Sequence, residues 1–453
     1  MTPSASPAVS TGTGAPATRA AAPPAPASHA EPAPVTPTRT SAARAALRRR
    51  LEGTPGRLRV LALLTAGACL VFGLAAGQAF NATDGALARA EANTAQLVRI
   101  QALHTNLVKA DANATNAFLV GGVEPASTRA DYDNAIGQAS RLVAEAARAQ
   151  PADGRALSAL NSQLVAYTGL VEQARANNRQ GLPLGAQYLR NASAGLRADA
   201  LPVVDALVSA NQLRVKAELD NAAGASAWML VGLLSLVVLV FGMVWLARRT
   251  HRYLNLPMVA ATVAVLLTFI VGALVLGGVR GQVADVRDGP YAATLATARA
   301  RIAGFDAKSN ESLTLIARGS GSTFEKAWKA SSGVVQAQAR QAAGHSSSAG
   351  GLADAWARYA RTHTAVRAAD DSGRWDAAVA LATGSGASSS NATFDAFDTA
   401  SSRALSAVSR DTADGLAAPR PYLPFAGAVG LLVGLLGALA CWWGVNKRLE
   451  EYR

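Results

Sequence analysis

Residues 226–279 read SAWMLVGLLSLVVLVFGMVWLARRTHRYLNLPMVAATVAVLLTFIVGALVLGGV: two apolar runs, 226–247 and 256–279, joined by the eight residues Arg248 to Asn255. A helix needs roughly 20 apolar residues to cross a hydrocarbon core about 30 Å thick, and each run has that length. Outward from this hairpin lie two more such runs, 58–80 and 424–445, and Arg59, at the edge of the first, is the one charge in the four. The fold class that follows is an all-α integral membrane protein. Four transmembrane helices (58–80, 226–247, 256–279 and 424–445) frame two polar segments of similar length, 81–225 and 280–423.

Basic residues cluster at three places: Arg44, Arg48, Arg49, Arg50, Arg57 and Arg59 before the first run, Arg248, Arg249 and Arg252 in the short loop, and Lys447, Arg448 and Arg453 after the last. Four spans put all three clusters on one side, and the positive-inside rule makes that side cytoplasmic. The loop 248–255 and the tails 1–57 and 446–453 are thus expected inside a plasma membrane, and the two polar segments outside. The net charge of +13 draws on eight arginines against two glutamates in residues 1–59. It speaks for topology and contact with anionic membrane lipid, and with no basic, aromatic-interleaved patch it does not speak for nucleic acid.

Residues 1–43 are dominated by Ala, Pro, Ser and Thr and cannot bury enough apolar surface to offset their conformational entropy, so a disordered cytoplasmic tail is expected. The first run exceeds the length of a signal h-region and follows a long polar stretch, which favours an uncleaved anchor over a signal peptide. Cys69 and Cys441 both fall within spans, so neither a disulfide framework nor a zinc spacing is available. The pairs Gly73/Gly77 and Gly430/Gly434 have the GxxxG spacing that permits close helix packing in a membrane.

The outer segments carry apolar residues at helical spacing: Leu97, Ile100, Leu103, Leu107; Leu157, Leu160, Leu164, Tyr167, Val171; and Leu201, Val204, Val208, Asn211, Val215, Leu219. Breakers at 121–125, 150–154 and 177–183 predict four antiparallel helices, with the first and third turns at the membrane-distal tip. The second segment has stripes of its own, Leu352, Trp356, Tyr359, His363, Val366 and Phe394, Phe397, Leu405, Val408, and predicted tip turns at 318–323 and 370–375. Shifting the chain by 197 residues lays the first span on the third and Asn113 on Asn310, and other landmarks repeat in the same order, so an internal duplication is expected.

A span leading into a long helix, two shorter helices and a long helix returning into a span resembles the four-helix-bundle sensory domain of bacterial chemoreceptors. Leu201 to Ala222, LPVVDALVSANQLRVKAELDNA, is similar to the returning helix of those domains. The tandem four-span layout resembles the GlnX-type membrane signalling proteins of high-GC Gram-positive bacteria. That resemblance implies a relay: an extracytoplasmic solute-binding lipoprotein of the glutamine/glutamate type docks outside, and a cytoplasmic Ser/Thr kinase of the protein kinase G type, controlling nitrogen and amino-acid metabolism, responds inside. It implies no individual ligand-binding residue.

No HExxH, GxSxG or P-loop spacing is present. His104 and His363 sit on apolar helical faces, and Asp370 and Asp371 read as a solvated turn, so neither an enzyme nor a cofactor is expected. A transporter component is the less favoured reading, because the spans offer no carboxylate, Lys, Arg or His at their centres; a passive scaffold or envelope protein is the stronger alternative. If a partner docks, the tips are the expected contact: Glu124, Asn178 and Arg179 in the first unit, Asp370, Arg374 and Trp375 in the second. A homo-oligomer is compatible with the same surface pattern.

Overall fold

The computed structural model describes residues 54–120, 124–250 and 255–450, all helices and short turns. The tail ahead of Thr54, the turn 121–123, the loop residues His251 and Arg252, and Arg453 lie outside the described residues. The first bundle is built from α1 (Thr54–Val120), α2 (Ala126–Ala149), α3 (Gly154–Arg179), α4 (Leu184–Gly195) and α5 (Leu201–Gly224), and α6 (Trp228–Thr250) forms the second span. The third span opens the second half with α7 (Leu256–Val286). It is followed by α8 (Ala292–Ile316), α9 (Ser322–His345), α10 (Leu352–Asp371), α11 (Trp375–Thr383), α12 (Ser390–Ala417) and α13 (Leu423–Glu450), the last being the fourth span. Four helices are long and apolar enough to cross a membrane.

The breaks have local causes. α2 gives way at Gln150, which turns extended at φ −136° and ψ 89°, before Pro151 opens a short 3-10 turn. After α3 the chain reverses through Gly181 at φ +68°, a conformation that only a residue without Cβ adopts freely. α4 and α5 run on through a π segment, Leu196–Ala200, placed just ahead of Pro202, whose ring nitrogen has no proton to give to the ladder. A second π segment, Arg287–Tyr291, surrounds Pro290 between α7 and α8, and Thr294 Oγ1 donates to the Pro290 carbonyl at 2.8 Å. The second bundle departs from the four-helix expectation. The run Gly384 to Ser389 interrupts its return and leaves α11 as an extra nine-residue helix, and Ser389 caps α12 by accepting from Ala392 N–H at 3.2 Å. Ala404 rather than Leu405 faces the core in α12, whereas in α5 Val208 packs against the core as expected and Leu207 is buried beside it.

The two bundles share walls. One face of α1 carries Ile100, Leu103 and Leu107 into the first core, and the next face carries Val108 and Ala112 into the second, beside Phe305, Trp356 and Phe397. Asp111 of α1 is 1% exposed and accepts from Tyr167, from Ser193 and, across the seam, from Ser309 Oγ at 2.6 Å. Arg197, on the π segment, reaches Asp111 at 3.2 Å and Asp306 of α8 at 3.1 Å. Lys109 pairs with Asp398 of α12 at 3.1 Å. Nearer the spans α2, α3, α9 and α10 are absent from the core, and α1, α5, α7 and α12 close a single four-helix stalk around Leu87, Val215, Val283 and Leu416. Arg420 ties this stalk to α1 through Asp84 at 3.3 Å and Glu91 at 2.6 Å.

In the spans, α1 and α13 touch backbone to backbone. A Cβ added at Gly434 would stand 2.6 Å from the Gly73 Cα, and one at Gly430 would stand 2.7 Å from Ala76 Cβ; Gly77 faces Leu431. Cys69 and Cys441 bring their sulfurs to 3.9 Å in the same contact. Leu63, Leu74, Leu230, Phe241 and Leu274 point away from the span core, as side chains facing lipid do.

Candidate functional site: a charged cavity at the distal end of the second bundle

α8 carries Lys308, Ser309, Asn310, Glu311 and Ser312 in succession, and all five are buried. A buried polar run is costly unless its groups find partners, and of these five side chains Ser312 alone leaves its hydroxyl without one. The Glu311 carboxylate is 1% exposed and finds four: Lys308 Nζ donates at 2.8 Å, Tyr359 OH at 3.3 Å, His363 Nδ1–H at 2.8 Å, and Ser390 Oγ closes the ring. The other ring nitrogen of His363 faces Glu325 at 3.2 Å. With a carboxylate on each nitrogen, both positions carry a proton and the ring is an imidazolium. Trp328 stacks on it with ring centroids 3.6 Å apart and planes 9° from parallel.

These contacts shift the proton affinities. Burial alone would raise Glu311, but the Lys308 charge and the bonds from His363 and Lys308 outweigh it and hold the carboxyl down at about 2. Burial alone would lower His363, yet its bonds to Glu311 and Glu325 leave it above the ordinary histidine value. The result is a paired, internally neutralised floor. Among the described residues no three His, Cys, Asp or Glu side chains are placed to hold a metal.

Above this floor opens a cavity of about 1440 Å³ at the end of the bundle away from the spans. His363, Glu325 and Trp328 line its base, and Arg318, Arg367, Asp370, Arg374 and Trp375 its rim. Two turns shape the mouth. One runs through Arg318 at φ +40° and Gly319 at φ +88°, the other through Gly373 at φ +77°. Arg318 lies over the Trp375 ring, 4.1 Å from its centroid. Trp375, one of the expected tip contacts, is half-buried, and its Nε1–H donates to the Leu315 carbonyl at 2.9 Å. Asp370 and Asp371 both pair with Arg367.

The first bundle closes its distal end differently. Its cavity measures about 240 Å³, lined by Glu124, Arg129, Arg175, Asn178 and Arg179 among others. Arg175 pairs with Glu124 at 3.0 Å and with Glu172 at 2.7 Å, and Arg129 pairs with Glu172 at 3.0 Å. Glu124 is therefore spent inside the bundle, Asn178 donates to the Phe118 carbonyl at 3.4 Å, and Arg179 is exposed. The structure thus divides the six predicted tip residues between two cavities.

Residues 86–220 match the model of the actinobacterial sensor domain. No curated protein and no solved structure matches the chain. The sensor-domain match runs from the stalk part of α1 to Asp220 in the last turns of α5, so it covers the first bundle, and with the four apolar helices it fits a membrane sensor. The charged cavity lies outside the matched residues.

Glu311, Lys308, Glu325 and Arg318 do not stand out in the sequence reading. The visible signal for Lys308 and Glu311 is the KSNES run at 308–312, polar residues in succession on a helix, and Arg318 is marked only as the start of a predicted tip turn. His363 was expected on an apolar face; it is buried as expected, but in a polar ring, because Glu311 supplies the charge it meets.

Proposed function

We propose that the chain is a non-enzymatic transmembrane receptor whose two bundles stand outside the cell. In this reading they detect an extracytoplasmic solute, received through an amino-acid-binding lipoprotein of the glutamine/glutamate type. The spans pass the signal to a cytoplasmic Ser/Thr kinase of the protein kinase G type that controls nitrogen and amino-acid metabolism. The observation that carries the reading is the seam: α1, which runs through the sensor-domain region, is a wall of both distal cores, of the stalk and of the span core. A partner that prefers one packing of the distal ends then biases the packing of the spans, and that difference in affinity is the coupling free energy. Arg248, Arg249 and Lys447 at the opposite ends of the spans support the orientation.

The two bundles are read as copies of one ancestral unit, supported by α2 and α9, each of 24 residues and each followed by a 3-10 turn. Docking is assigned to the distal ends, where Arg179 and Arg374 are exposed and Glu124, Asn178, Asp370 and Trp375 shape the surface beneath them. A photo-crosslinking amino acid placed at Arg179 or Asp371 in intact cells, followed by mass spectrometry, tests this. Capture of a solute-binding lipoprotein at either position, with capture from position 371 lost in Arg179→Glu, is the expected result. Capture of no such protein at either position would remove the outer half of the relay.

A further inference from the structure

The distal cavity of the second bundle holds more positive charge than the protein answers. Arg367 is matched by Glu325, Asp370 and Asp371, and Lys329 by Glu325. Arg318, Lys326 and Arg374 also line the cavity, and among the described residues none of them makes an ion pair. Arg318 spends its face on Trp375, and Arg374 Nε donates to the Ser372 hydroxyl at 3.1 Å, which leaves the rest of each guanidinium edge open. Against these three cations stands the one unpaired carboxylate of the described lining, Asp376.

Two helices also begin here. Gly321 and Ser322 at the start of α9, and Trp375 to Ala377 at the start of α11, are part of the lining, so the free amides and positive dipole ends of two first turns add to the same field. The platform that carries Arg318 is fixed by the Trp375 bond to Leu315, and Arg318 itself holds a left-handed backbone that a non-glycine residue adopts at a cost. The first bundle offers a contrast, because Arg129 and Arg175 in its distal cavity are already paired.

We propose that this cavity binds a small solute through a multi-oxygen anionic group, a phosphate or a carboxylate, seated among Arg318, Lys326, Arg374 and the first turns of α9 and α11. Guanidinium forks match the oxygens of either group in pairs. The cavity exceeds the space such a group needs, leaving room for the body of an organic molecule. The proposal deepens the receptor reading and rests on it, since a solute held at the distal end is what the relay would report.

The test uses the full chain in nanodiscs of zwitterionic lipid, titrated calorimetrically at constant ionic strength with inorganic phosphate and, separately, with succinate. Saturable binding of at least one probe is expected, weakened tenfold or more in Arg318→Ala/Arg374→Ala and several-fold in Lys326→Gln, a change at an exposed position that leaves the melting temperature in place. Arg141→Glu, a charge reversal at an exposed position of α2 in the first bundle, should bind as the parent does. Saturation by phosphate alone assigns phosphate esters as the ligand class, and saturation by succinate alone assigns carboxylates. Absence of saturable binding for both probes, or binding unmoved by the Lys326 and arginine changes, overturns the proposal. Neither lipoprotein nor kinase is present in the measurement, so its failure leaves the relay standing, and failure of the crosslinking experiment leaves this site standing.

Discussion

Glu311 is the residue on which the second bundle's polar core turns. Replacing it by glutamine leaves Lys308 buried without a counter-charge and His363 with Glu325 alone, and losing one partner of such a buried pair costs about 3–5 kcal/mol. Denaturant unfolding of the purified chain should show that loss for Glu311→Gln. The same ring predicts a pH signature. His363 binds its proton more tightly folded than unfolded, so its contribution is complete below the ordinary 6.5 and fades as pH rises through its raised value. Glu311, held at about 2, contributes above its ordinary 4.5 and loses that contribution as pH falls toward 2. The melting-temperature advantage of the parent over His363→Gln should therefore peak between pH 4.5 and 6.5 and shrink in alkaline buffer. Little of this was legible beforehand. Glu311 and His363 are 52 positions apart, and a helical stripe assigns His363 to a core without saying what charge it meets there.

Helices were far easier to read than side-chain partners, because their signals are local. Run length set the spans, and Gly181 and Pro151 set two of the turns in the first bundle. The π segments escaped, since Pro202 and Pro290 advertise a disturbance but not the widened turn by which the helix passes it. The extra helix α11 escaped because Gly384 to Ser389 resembles any polar loop. Gly73 and Gly434 make the sharpest claim at this level. Gly434→Leu cannot keep the α1–α13 approach, because its first carbon already meets the Gly73 Cα at 2.6 Å. Copper-phenanthroline oxidation in membranes should join the Cys69 and Cys441 fragments after proteolysis of the parent, and the yield should drop severalfold in Gly434→Leu. An unchanged yield would mean that the two helices do not meet there.

At the scale of the whole molecule, both bundles rise from the same face of the span layer, which the positive-inside rule turns into a topology. Ser162 and Asp354 are exposed, one on each bundle. With both native cysteines replaced, Ser162→Cys and Asp354→Cys should react with a membrane-impermeant maleimide added to intact cells; labelling only after lysis would invert the molecule. The length of α1 carries one more consequence. Its 67 residues make a rod of about 100 Å that is indexed at both extremities, by Gly73 against Gly434 below and by Asp111 against Ser309 above. Slipping a single alanine in between Asn81 and Ala92 would swing everything beyond it by about 100°. No rotation of the rod could then satisfy both marks, whereas exchanging a residue in the same interval would disturb neither. Cells should accept the exchange and degrade the insertion, as a lock rejects a key cut one notch out of phase.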